Sequence, residues 1–182
     1  MREIFLSILE NYHSEKNKSF KNNDLANKIR KEFTEELRNL VKDEGDRYIL
    51  EGSPGRGNWA NCPWFAIFDS IKTTHARSGY YLVYIFREDM KGLYLCLSQG
   101  VTEISKIYKK DDKIVLVTRA NDYRNRLLYN EKDNIEIDLN SNLSLPRLYE
   151  KGTILARYYD KANFPDNEVL KKDFADFLSY YK

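Results

Sequence analysis

Histidine is nearly absent from this chain. Of 182 residues only His13 and His75 carry an imidazole. General acid–base and metal chemistry recruit that ring most often, so enzyme classes built on it have little to work with. Cysteine is equally scarce. Cys62 and Cys96 lie in apolar surroundings, with no CxxC spacing and no second pair. They read as reduced core thiols of a cytoplasmic protein, and neither a disulfide framework nor a zinc site is expected. No apolar run approaches the ~20 residues that a membrane span requires. The start MREIFLSILENYHSEK interrupts its apolar run with acidic residues, so it does not read as a signal peptide, and no membrane partner is expected. An excess of one charge is missing too. Lys and Arg number 30 against 28 Asp and Glu, a formal +2, so any affinity for nucleic acid has to rest on a local patch.

Aromatic residues are abundant, at 14% of the chain with fourteen tyrosines. Tyrosine joins a flat ring to a polar tip and suits binding surfaces. Hydrophobic residues at 42% and charged residues at 32% place the chain among soluble globular proteins, with length for one packed domain.

Ile4, Phe5, Ile8, Leu9 and Tyr12 recur at helical spacing, which predicts a helix over 2–14. Leu25, Ile29, Phe33, Leu37 and Leu40 form a second stripe over 24–43, capped by Asn23 or Asp24. Short strands are expected at 48–50 and 64–68. GYYLVYIFR (79–87) and LYLCLS (93–98) read as a hairpin across the turn EDMKG. The stretch 113–130 is ambiguous, since its β-branched start favours strand and its charged second half favours helix. NIEIDL (134–139) alternates like a strand, 153–159 is a further candidate, and 167–181 carries a helical stripe. The expected class is α+β: a single domain with a mixed β-sheet flanked by N-terminal and C-terminal helices.

One segment concentrates the functional question. EGSPGRGNWANCPWFAIFD (51–69) begins with glycines that look like a phosphate-cradling loop. Gly55 to Ala60 fits the GxGxxA variant of a dinucleotide fingerprint, but Pro63 and a strand-like WFAIF follow where a helix is needed. A Walker loop would need a lysine after Gly57, where Asn58 and Trp59 stand. Enzymatic alternatives are sparse. A Cys–His pair would require Cys62 or Cys96 beside His75. Asp111-Asp112-Lys113 and Asp89-Met90-Lys91 give DxK triplets like the metal-binding half of some nucleases, although both read as solvated turns.

Between Gly52 and Arg87, Arg56, Lys72, Arg77 and Arg87 face Asp69 alone, four minus one, a local +3. Aromatic rings interleave with them. A glycine loop can press its backbone against a phosphate or enter a groove, and flat rings can stack a base removed from its helix. Strand alternation places Tyr81, Val83 and Ile85 on one face and Tyr80, Leu82, Tyr84 and Phe86 on the other.

LEGSPGRGNWANCPWFAIFD followed by SGYYLVYIFREDMKGLYLCLSQG resembles the N-terminal DNA-binding domain of McrB, from restriction systems that attack modified DNA. The shared pattern is a Gly-x-Gly-Asn-aromatic loop, Pro-Trp-Phe-Ala, a spacer and Gly-Tyr-Tyr-x-Val leading to an acidic turn. Order and spacing hold over 50–100, and the ending DFADFLSYYK is also similar. The resemblance implies a non-catalytic reader that binds double-stranded DNA and flips a modified cytosine, 5-methylcytosine first, into an aromatic pocket. Carried over by position, Trp64, Tyr81 and Ile85 line that pocket. The loop Gly55, Arg56, Gly57, Asn58 and Trp59 enters the DNA, and Lys72, Thr73, Thr74 and Arg77 touch phosphates. Where a relative can carry an aromatic wedge between the glycines, this chain has Arg56. No GTP-binding motif occurs, so no cofactor is expected. The chain then reads as one module, 1–182, of a longer protein whose GTPase and nuclease parts lie in other domains or subunits. Two alternatives are a reader of hydroxymethylcytosine or N6-methyladenine, and a metal-dependent nuclease using Asp111 and Lys113.

Overall fold

The computed structural model describes all residues, 1–182. Five strands form one sheet in sequence order: β1 (Tyr48–Ser53), β2 (Trp64–Asp69), β3 (Tyr80–Phe86), β4 (Gly92–Gln99) and β5 (Thr153–Asp160). Every neighbouring pair is antiparallel. The expected α+β class therefore holds, with the correction that the sheet is antiparallel throughout and not mixed. Three helices separate β4 from β5: α3 (Thr102–Tyr108), α4 (Asp112–Arg124) and α5 (Ser144–Gly152). This long excursion returns to the end of the sheet that it left, so β5 runs back along β4.

The alternation along β3 divides the molecule. Leu82, Tyr84 and Phe86 point into the larger core, under α1 (Arg2–Lys16), α2 (Asp24–Leu40) and α6 (Asn167–Tyr181). Phe5, Ile8 and Leu9 of α1 and Ile29, Phe33 and Leu37 of α2 supply the helical side of that core. This is the stripe that the helical spacing predicts, and Asn23 caps α2 through a bond from Ala26 N at 3.1 Å. Tyr81, Val83 and Ile85 face the opposite side with Ala66, Phe68 and Cys96. Only thin material covers that second face: Ile137 and Leu139 from an irregular segment, and Tyr149 from α5.

The ambiguous 113–130 stretch resolves as helix as far as Arg124. Leu116 and Ala120, one turn apart, are buried, and packing overrides the β-branched opening. NIEIDL is unpaired. Its alternation reflects Ile137 and Leu139 turning inward, and its backbone is held by Glu88 N to Leu139 O at 2.9 Å and Leu139 N to Glu150 Oε1 at 2.9 Å. Helices α3 and α5 were not foreseen. Both are short, and each buries a single large aliphatic side chain, Ile104 in one and Leu148 in the other, which is too little for a clear stripe.

A buried ion cluster ties the far edge together. Arg157 of β5 donates to both oxygens of Asp133 at 2.7 and 2.6 Å and also to Asp173 of α6. Tyr159 Oη adds a bond to Asp173 at 3.0 Å. No helix is long and apolar enough to cross a membrane.

Candidate functional site

The glycine loop between β1 and β2 takes its shape from Gly55. At φ +123° this residue occupies a conformation that side chains rarely adopt, and a Cβ there would lie 2.0 Å from Asn58 O. Ala60 N closes the loop onto Pro54 O at 2.7 Å, and Tyr12 Oη donates to Ala60 O at 2.7 Å. Trp59 does not belong to the tip. Its ring packs edge-on against Tyr12 and Phe20, with centroids 5.3 and 5.2 Å away, and Nε1 donates to Lys18 O at 3.2 Å. Of the five expected loop residues, Arg56, Gly57 and Asn58 are exposed, and Trp59 is the anchor behind them. Arg56 is 78% exposed, and its guanidinium comes no closer than 3.8 Å to the Glu51 carboxylate. The loop runs directly into β2, so it does not open a helix of its own, as the dinucleotide fingerprint requires.

Strand register brings the next three expected residues together. Trp64 of β2 stands opposite Ile85 of β3, and Tyr81 lies four residues from Ile85 on the same face of β3, opposite Ser98 of β4. All three line one cavity, floored also by Val83 and Cys96. Its roof comes from elsewhere in the chain: Ala76 from the β2–β3 loop, Ile137 from the irregular segment, Tyr149 from α5 and Thr153. The cavity measures about 20 Å³, room for a single water. Sites that hold organic ligands measure hundreds of Å³. Neither Trp64, Tyr81 nor Tyr149 donates a side-chain hydrogen bond within the chain. Burial raises the Tyr81 pKa and, with Cys62 nearby, pushes Tyr149 up to about 12. Both phenols are therefore neutral donors at physiological pH. Burial, with the charges of Glu88 and Glu150, pushes the Cys62 thiol up to about 12, and burial also raises Cys96. Both thiols stay protonated, which removes them as nucleophiles.

An open cleft of about 400 Å³ adjoins the cavity. Trp64, Ala76 and Tyr149 line both spaces, so they form the partition between them. Gly55 and Arg56 border the cleft on one side, and His75, Arg77 and Thr102 on another.

The β2–β3 loop divides the expected phosphate contacts. Thr74 and Arg77 are exposed, and neither side chain has a partner. Thr73 Oγ1 is spent on the loop itself, donating to His75 O at 3.0 Å or Ser78 O at 2.9 Å. Lys72 is committed to α6: Nζ bonds Tyr181 O, reaches Lys182 O at 3.3 Å and sits 4.5 Å above the Tyr181 ring. Burial lowers its pKa. The loop is pinned at its base, since Glu103 N donates to Arg77 O at 3.2 Å and Gly100 leaves no room for a Cβ beneath Arg77 and Ser78.

The remaining candidates stay apart. Asp111 and Lys113 are exposed at the start of α4, while Asp112 between them turns inward to accept from Ser105 Oγ at 2.7 Å. No group of three or more His, Cys, Asp and Glu side chains is placed to hold a metal ion. The sequence reading missed Ala76, Ile137 and Tyr149. A tyrosine one turn after Leu145 was the available signal for the last, but it needed the helix to be recognised first.

The family model described as MrcB-like, N-terminal domain matches residues 7–182, nearly the whole chain. The chain belongs to that family. No curated protein matches it.

Proposed function

We propose that this MrcB-like N-terminal domain reads modified DNA: it grips a duplex across the cleft and takes a flipped, modified cytosine into the space between Trp64, Tyr81 and Tyr149. The observation that carries this reading is the shared partition. An aromatic cavity with unused N–H and O–H donors lies directly behind a cleft bordered by Arg56 and Arg77. Arg77 and Thr74 hold phosphates, and the tip Arg56–Asn58 meets the duplex near the extruded base. Ile85, beside Trp64, supplies an apolar contact of the kind that a 5-methyl group fits, which makes 5-methylcytosine the first-choice ligand.

A closed cavity of about 20 Å³ means that the partition moves when the base enters. The Trp64 and Tyr149 side chains make no hydrogen bond within the chain, so rotating the rings breaks none. Extruding a base costs a few kcal/mol, and stacking on aromatic rings returns about 1–3 kcal/mol per base. The remainder falls to hydrogen bonds at the base edge and to phosphate contacts. The domain acts as the specificity module of a longer cytoplasmic protein or complex, with GTP hydrolysis and cleavage supplied by an effector domain or subunit.

Binding to paired duplexes differing by one 5-methyl group, followed by anisotropy across a salt series, tests this reading. Preference for the methylated duplex that survives added salt is the expected result. Equal affinity for both, with no preference for hydroxymethylcytosine or N6-methyladenine, would contradict it. Metal-dependent cutting by the isolated domain would favour a nuclease instead.

A further inference from the structure

A duplex that loses a base from its stack needs something in the gap, and the glycine tip offers only polar side chains, Arg56 and Asn58. The cleft carries a second candidate. Leu143 and Leu145, at the start of α5, are 51% and 44% exposed and line the cleft together. Neither joins any of the three apolar clusters. What sets them apart from other exposed apolar residues is their place: they sit together in a cleft with arginine on its rim, where an apolar group of a ligand can meet them.

Their mounting is firm. Pro146 and Leu148 beside them are buried, and Arg147 bonds Asn142 Oδ1 at 2.9 Å and Ser141 O at 3.5 Å. The spacing is also informative. Leu145 and Tyr149 lie four residues apart on α5, hence on one face of the helix and about 6 Å apart along its axis. Tyr149 is part of the cavity partition. One rigid helix thus presents a pocket wall and, one turn away, a bare leucine.

We infer that Leu145, supported by Leu143, is the wedge that enters the base stack when the modified base leaves it. Apolar side chains serve this role when inserted between base steps. Arg56, on a glycine tip with only a distant carboxylate, is then left for phosphate or for the edge of the orphaned base. The inference rests on the base-flipping reading above and assigns the residue that makes flipping possible.

The test uses a duplex with 2-aminopurine next to a 5-methylcytosine, whose emission rises when the stack opens. The variant Leu143→Ala/Leu145→Ala is expected to lose that rise and to bind the fully paired duplex about tenfold more weakly or worse. The same variant should regain near wild-type affinity when the modified cytosine is placed in a mismatch, because a base that is already unpaired costs less to extrude. Leu145→Met should keep both properties, and matching thermal melts would exclude a folding defect. An equal loss on paired and mismatched duplexes, or an unchanged 2-aminopurine response, would overturn the wedge while leaving the reader standing. A wild-type domain that gives no 2-aminopurine rise on binding would overturn the flipping reading, and the wedge with it.

Discussion

Trp64 stands directly across from Ile85 in the β2–β3 ladder, and Ala66 stands across from Val83. A register shift of one residue would turn Trp64 and its neighbours to the opposite face. Cavity and sheet are therefore specified together, and the consequences can be tested residue by residue.

Replacing Trp64 with alanine removes a stacking surface and one of the three side chains of the partition. The expected result is loss of the preference for methylated DNA, by about 1–3 kcal/mol, with weak, salt-sensitive binding to any duplex retained. Anisotropy on the paired duplexes reads both effects.

Arg77→Ala and Lys72→Ala should behave differently although they flank one loop. Arg77 has no partner in the chain, so its removal should lower the slope of log affinity against log salt by about 1. Lys72 is bonded to α6, and its removal should leave the salt slope unchanged and lower the melting temperature.

Trp59→Ala should damage the loop's anchorage and not its chemistry. Losing the packing on Tyr12 and Phe20 and the bond to Lys18 O is expected to cost about 2–3 kcal/mol, somewhat below a fully buried tryptophan. Urea unfolding measures this, and limited proteolysis should show new cleavage near Gly57.

Acid should loosen the base of the β2–β3 loop. Asp69 is buried, which opposes its charge, but two bonds from Arg47 at 2.7 and 3.1 Å, the Ile71 N–H and Lys72 outweigh burial and lower its pKa. A carboxylate with a lowered folded pKa stabilises the fold above its ordinary value near 4, and that stability is lost as pH falls through the folded pKa. Asp69→Asn should flatten this acid limb in melts taken from neutral pH down to about 3.

Breaking the Arg157 cluster should be the most destabilising change. Arg157→Met leaves Asp133 and Asp173 as buried carboxylates without their cation, at an expected cost of about 3–5 kcal/mol. Chemical denaturation checks the value.

Much of this architecture was legible because periodicity reports burial. The stripes of α1, α2 and α6 each follow from one face meeting the core, and the alternation of β3 divides its side chains between two packed faces. Tyr81 and Ile85 are grouped by strand alternation and by the motif resemblance alike, whereas Trp64, on another strand, joins them through the resemblance alone. The rest of the site was not legible, for physical reasons. Tyr149 and Leu145 sit on a nine-residue helix, too short for its stripe to stand out. Ile137 lies in a segment that alternates without pairing, since its hydrogen bonds go to Glu88 and Glu150 and not to a strand. Lys72 and Thr73 looked like free polar groups, and only tertiary contacts spend them on Tyr181 and on the loop backbone. Trp59 is placed on the DNA by the motif resemblance, whereas its ring is the part of the loop that faces inward.

The most direct test of the account watches Trp64 itself. In a Trp59→Phe variant, Trp64 is the sole tryptophan, and its emission can be followed as duplex is added. Saturation with a 5-methylcytosine duplex is predicted to quench that emission by stacking, while the unmethylated duplex at equal occupancy leaves it nearly unchanged. Tight binding of the methylated duplex with no change at Trp64 would contradict the claim that the base enters this cavity.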